Sequence, residues 1–189
     1  MSRVNFRQPL VIIDCEMSGP DPNKHQLLEI AALRCDPKNF GVGRCDVFHL
    51  FVGPEEGRAV KNIIMDADPA AICKNGIDIA FHEHYLSPTR AIFRLCNFLE
   101  QTKTWVWVGY DMLLDYMFLH PYMRNIPFRK IDVKTLADVY FHTKEKEVSS
   151  LSLSSVGKYF GVDVKEAHSA KADCAIIKEV LPILLSELG

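Results

Sequence analysis

The sequence predicts an α/β domain with a central mixed sheet of about five strands flanked by helices. Three observations predict it. The first third holds three short apolar runs of strand length joined by turns. Near residue 88 the apolar period becomes helical. Beyond it, strand-like and helix-like segments alternate, giving the order β-β-β-α-β-α-β-α-α.

Leu10 to Cys15 is an apolar run ending in acid, which suits a central strand covered on both sides. Ser18 to Lys24 is a turn rich in Gly, Pro, Asp and Asn. Leu27 to Cys35 and Asp46 to Val52 are further strands around a Pro37 to Gly43 turn, so the three form an antiparallel meander. The stretch 53–84 is irregular, with one or two short helical pieces. Ile92, Leu95, Cys96 and Leu99 recur at i, i+3, i+4 and i+7, which makes Pro88 to Gln101 an amphipathic helix. Trp105 to Val108 reads as a buried strand, Asp111 to Met123 as a helix, and Ile131 to Val133 as a fifth strand. A helix carrying Leu153, Val156 and Phe160 ends at Gly161. Ser169 can cap a last helix to about Leu188, kinked at Pro182.

The chain has 189 residues, enough for one domain over 1–189, and its 48% apolar content excludes disorder, collagen and coiled coil. Lys plus Arg number 22 against 24 Asp plus Glu, a formal net charge of −2. A nucleic-acid partner must therefore be held by a local patch or by metal ions. No apolar run approaches the roughly 18 residues of a membrane span. Leu10 to Ile13, after Arg3 and Arg7, is too short for a signal-peptide core. The chain reads as soluble and cytoplasmic, without a membrane partner. Its six cysteines are scattered with no C-x-x-C pair, which excludes a zinc ribbon and reads as buried, reduced thiols.

Three groups of residues carry candidate chemistry. Asp14 and Glu16 end the first strand, two apart and hence on one face, where ligands of α/β sheets bind. Asp111 and Asp115 lie four apart on the helix after the fourth strand, where two like charges are unfavourable without a cation or solvent between them. Asp111 can serve as that helix's cap; Asp115, a turn further in, has no such duty and is the functional candidate. His168 and Asp173, five apart, would diverge by about 140° within one helix. With Ser169 as N-cap, His168 lies outside the helix and both converge at its end. Taken singly, each group also has a bland reading as strand-end charge, cap or structural histidine.

Together and in this order they resemble the DEDDh 3′–5′ exonucleases, the ribonuclease T and proofreading-subunit group with a ribonuclease H-like fold. The resemblance runs from Val11 to Leu185 and includes Leu28-Glu29-Ile30-Ala31, Asn75-Gly76-Ile77 and Ile131-Asp132-Val133-Lys134-Thr135-Leu136. The opening Ile13-Asp14-Cys15-Glu16-Met17-Ser18-Gly19-Pro20-Asp21-Pro22 is similar to oligoribonucleases. The second motif departs from the family: Tyr110-Asp111 stands where His-Asn is usual, and Leu114-Asp115-Tyr116-Met117 where oligoribonucleases carry Gln-Asp-Arg-Arg.

The resemblance implies a metal-dependent exonuclease that removes nucleoside 5′-monophosphates from the 3′ end of single-stranded DNA or short RNA. Four acids facing an anionic phosphodiester would repel it, and two hard cations resolve this. All-carboxylate ligation favours two Mg²⁺ or Mn²⁺ over zinc. By resemblance Asp14 bridges both metals, Glu16 and Asp173 complete the site of the attacking water, Asp115 supports the second metal, and His168 is the general base. Met17, Ser18, Tyr110 and Lys171 are candidate substrate contacts, and Phe81 and Tyr85 candidate stacking aromatics. His82 and His84 lack a third ligand for a metal site of their own. A homodimer or a polymerase or replication partner is plausible by analogy with relatives. The alternatives are a non-catalytic nucleic-acid-binding module of the same fold and an integrase or ribonuclease H type endonuclease, in which His168 would have no duty.

Overall fold

The computed structural model describes residues 6–38, 40–41, 43–56, 59–78, 84–123 and 125–189. Arg3, Phe81, His82 and Glu83 lie outside them. The chain runs β1 (Leu10–Met17), β2 (Leu27–Cys35), β3 (Cys45–Phe51), α1 (Val60–Asp66), α2 (Pro69–Asn75), α3 (Pro88–Glu100), β4 (Val106–Gly109), α4 (Leu113–Leu119), β5 (Lys130–Asp132), α5 (Val133–Thr143), α6 (Leu153–Tyr159) and α7 (Ala170–Leu188). The five strands form one sheet in the order β3-β2-β1-β4-β5. β1, β2 and β3 are the antiparallel meander, whereas β4 and β5 join in parallel. The mixed α/β sheet expected from the sequence is thus the observed one.

Strand alternation divides the core into two layers. Leu10, Ile12, Ala31, Leu33 and Val108 face α5, α6 and α7, while Val11, Ile13, Ile30, Ala32 and Trp107 face α3 and α4. β1 is therefore buried on both faces, which is why its sequence is a continuous apolar run rather than an alternation. None of the described helices is long and apolar enough to cross a membrane.

One length mismatch makes the site. The β1–β4 ladder pairs Leu10, Val11 and Ile12 with Val106, Trp107 and Val108 and ends there. β1 continues alone on that side to Met17, still paired with β2 on the other. Its carboxyl end, carrying Asp14 and Glu16, therefore borders an opening instead of a neighbouring strand.

Several expectations are corrected. The helix expected over Asp111 to Met123 is only Leu113–Leu119; at its start Asp111 takes a left-handed φ of 57° and cannot join it. Asp111 does not cap α4, which starts after Met112 without a side-chain cap. The segment after β5 forms a further helix, α5, whose apolar stripe Val133, Leu136, Ala137 and Tyr140 packs on the core; Asp132 caps it by accepting from the Lys134 N–H. The last helix, in contrast, runs to Leu188 as expected, with Pro182 inside it. Finally, Cys35 and Cys45 are not separate reduced thiols. They stand directly opposite in the β2–β3 register and form a disulfide, while Cys73 is exposed.

Candidate active site

Asp14, Glu16 and Asp173 offer carboxylate oxygens that all lie within 4.8 Å of one another. Two come from β1 and one from the first turn of α7, which packs over the same sheet face. They border a cleft of about 580 Å³ that Asp115, His168, Met17, Tyr110 and Leu114 also line.

Asp115 reaches this cleft from the opposite layer. It is buried, and its Oδ1 accepts the Cys15 backbone N–H at 2.9 Å, beyond the end of the β4 ladder. The carboxylate thus satisfies an amide that the shorter strand leaves without a partner. Asp111, in contrast, is exposed, and its carboxylate pairs with Lys134 Nζ at 2.5 Å while its N–H donates to Asp132.

The His168–Asp173 pair works as the capping geometry requires. Ser169 is the N-cap of α7, its hydroxyl accepting from the Ala172 N–H at 3.3 Å. His168, just before it, has φ 81° and donates its backbone N–H to Asp173 Oδ1 at 3.0 Å. A left-handed residue other than glycine costs about 1–2 kcal/mol. Here the turn that carries this cost brings the His168 backbone N–H to the Asp173 carboxylate.

The acids destabilise one another's charge. Burial, then Asp115, Asp173, Glu16 and Glu29, hold the Asp14 carboxyl well above the usual carboxylate range. Burial, reinforced by Asp173 and Glu29, pushes Glu16 up to about 8, with Lys74 opposing. Burial raises Asp115 to about 7 despite the Cys15 amide bond that favours its charged form. Burial also raises Asp173, against the His168 amide, the His168 charge and Lys74. Buried acids that resist ionisation in one cleft are what a divalent cation relieves. The donor set fits hard cations. Burial raises the nearby Cys15 and Cys174 thiols well above their ordinary values, so neither offers a thiolate.

The substrate-contact candidates separate. Met17 and Tyr110 line the cleft, with the Tyr110 O–H donating to the Leu151 carbonyl at 2.6 Å. Ser18 does not line it. Its side chain is buried and its hydroxyl accepts the Gln26 N–H, so it holds the turn after β1. Lys171 is exposed on α7 and is not among the described cleft-lining residues. Tyr85 packs on Phe51 at the far edge strand. Two lysines that composition does not single out do line the cleft: Lys74 on α2 and Lys134 on α5. Lys74 sits in a stretch that reads as irregular, so no periodicity points to it.

Among solved structures, the fold is similar to E. coli exonuclease I in complex with a dT13 oligonucleotide, with TM-score 0.72 and 15% identity over 96% of this chain and 42% of that one. It is similar to a zinc-ion-bound complex of E. coli exonuclease I with single-stranded DNA, with TM-score 0.68 and 16% identity over 97% and 43%. It is also similar to cell-death related nuclease 4 (CRN-4), with TM-score 0.73 and 14% identity over 95% and 64%. The chain thus spans less than half of exonuclease I and under two thirds of CRN-4. At these identities the likeness is one of fold. No curated protein matches the sequence. The family model RNase_T, described as Exonuclease, matches residues 11–181, nearly the whole sheet and its covering helices. The chain belongs to the RNase_T exonuclease family.

Proposed function

We propose that the chain is a divalent-metal-dependent 3′–5′ exonuclease acting on single-stranded DNA or short RNA and releasing nucleoside 5′-monophosphates. The observation that carries this reading is the convergence of Asp14, Glu16 and Asp173 in one buried-walled cleft. The single-stranded ligands of exonuclease I support a single-stranded substrate.

Asp14, Glu16 and Asp173 would hold the cations, with Asp115 supporting them from the α4 side. When bound, two Mg²⁺ or Mn²⁺ ions supply the positive charge that admits the phosphodiester and stabilises attacking and leaving oxygens. His168 accepts a proton from the water that attacks phosphorus, and its place on the turn before α7 holds it beside Asp173. The water oxygen bonds to phosphorus, the bond to the 3′ oxygen of the preceding nucleotide breaks, and that oxygen leaves to take up a proton. Met17, Leu114 and Tyr110 offer apolar contact to the terminal sugar and base, and Lys74 and Lys134 can meet flanking phosphates.

The test offers 5′-labelled single-stranded DNA and RNA to the protein with Mn²⁺ or Mg²⁺. The expected result is a ladder of shortened strands, no cutting of a circular strand, and loss of more than about 100-fold in Asp14→Ala and Asp173→Ala. Residues one shell out from a metal already cost about 10–100-fold when removed. Parental rates in both variants overturn the reading. Circular-strand cleavage assigns an endonuclease, and binding without product assigns a silent module.

A further inference from the structure

We propose that Glu29 is a positioning residue of this site, a buried clamp that ties the His168–Asp173 turn to the sheet with His49 behind it. The proposal rests on the exonuclease reading above. Glu29 is on β2, directly opposite Glu16 in the β1–β2 register and on the face that carries Asp14. It is 1% exposed. Its charge adds to those of Asp14, Glu16 and Asp173, each of which it makes harder to ionise. A further buried acid beside these opposes stability, and packing alone would favour an apolar residue.

Both of its oxygens are used. Oε2 accepts the backbone N–H of Ala170 at 3.2 Å, and Oε1 lies 2.7 Å from His49 Nε2 on β3. The His49 ring packs edge-on against Phe51 at 5.2 Å, which fixes its direction. Ala170 is the first residue of α7, and its N–H is one of those the helix cannot satisfy itself. Around it, Asp173 takes the His168 N–H and Ser169 takes the Ala172 N–H. Those two contacts fold the turn on itself, but neither fixes it to the sheet that carries Asp14 and Glu16. One turn into the helix the Cys174 thiol approaches the Ala31 and Ile12 carbonyls at 3.6 and 4.0 Å, whereas among the described side chains Glu29 is the one that bonds the turn ahead of it to β2. It therefore helps set where His168 stands relative to the β1 acids, without touching substrate.

The experiment compares Glu29→Ala, Glu29→Gln and His49→Ala with the parent in oligonucleotide turnover and in amide hydrogen exchange of residues 168–173. A clamp predicts that Glu29→Ala lowers kcat by about 10–100-fold with KM within about twofold, together with faster exchange. Glu29→Gln keeps an acceptor for the Ala170 N–H and should recover kcat to within a few-fold of the parent. His49→Ala, at a half-buried edge-strand position, should fold and lose kcat by a smaller factor, which decides the matter if Glu29→Ala does not fold. Parental kcat and exchange in Glu29→Ala and His49→Ala overturn the assignment, as does a Glu29→Gln loss equal to that of Glu29→Ala. If the parent hydrolyses no strand, the exonuclease reading fails, while the exchange data still judge the clamp.

Discussion

Asp111 and Asp115 stand four residues apart and use their charges in opposite ways. Asp111 sits in water against Lys134, where a pair of this kind contributes about 0–1 kcal/mol. Asp115 is buried, bonded to the Cys15 amide and raised to about 7 by that burial. Burial also sets the pH response of the metal-free protein. Unfolded carboxyls release their protons near pH 4, whereas folded Glu16 and Asp115 keep theirs to about 8 and about 7. Folded protein therefore binds more protons across that interval, and stability falls as pH rises from about 4 to about 8. Thermal melts in EDTA should show a lower Tm at pH 8 than at pH 5, and Glu16→Gln should shrink the difference. An equal Tm at both values would contradict the electrostatics described for the cleft. Asp14→Asn should raise the metal-free Tm at pH 8, since it removes a carboxyl whose ionisation burial and four acids disfavour.

At the scale of elements, the site depends on where β4 stops and where α7 starts. Ser169→Ala removes the cap and should cost about 1 kcal/mol in urea unfolding, with a larger effect on activity than on stability. Gly157 on α6 tests the packing beneath α7. A Cβ there would meet Val164 Cγ1 at 2.7 Å and Ile176 Cγ2 at 3.2 Å. Helix propensity favours Ala over Gly by about 1 kcal/mol, but overpacking costs about 1–3 kcal/mol. Gly157→Ala should therefore destabilise by up to about 2 kcal/mol, and a stabilised variant would show the α6–α7 contact to be loose. These elements also show what the chain discloses on inspection. The apolar run before Asp14, the Ser169 cap and the α3 stripe are local signals, and they place Asp14, Glu16, His168 and Asp173 on the right elements. Asp111 as a cap is a misreading, because a left-handed φ imposed by its bond to Asp132 is a tertiary effect. Ser18 misleads similarly: it follows the acids in sequence, but the turn folds its hydroxyl inward to Gln26. Glu29 and Lys74 reach the site only through strand register and the crossing segment, which no spacing encodes.

Over the whole molecule, a chain with net charge −2 and an acidic cleft offers little general attraction to an anionic strand. Under the proposed function, affinity for the strand would come locally, from bound cations and from Lys74, Lys134 and the apolar wall of the cleft. The Cys35–Cys45 bridge lies at the far end of β2 and β3 from Glu29 and His49. It closes a span of 10 residues, for which the chain-entropy relation gives about 2–3 kcal/mol. Cys35→Ser with Cys45→Ser should lower stability by up to that amount and leave turnover unchanged. Loss of turnover in folded protein would mean that the β3 edge communicates with the cleft more strongly than the hydrogen bonds indicate. The proposed function requires the acids from β1, α4 and α7 to form one cation site. Calorimetric titration of Mn²⁺ into the metal-free protein at pH 8 reads this out. Two ions per chain are expected, with binding abolished in Asp14→Ala and both ions raising Tm in the parent. Undiminished Mn²⁺ binding in Asp14→Ala, or no binding in the parent, would contradict it.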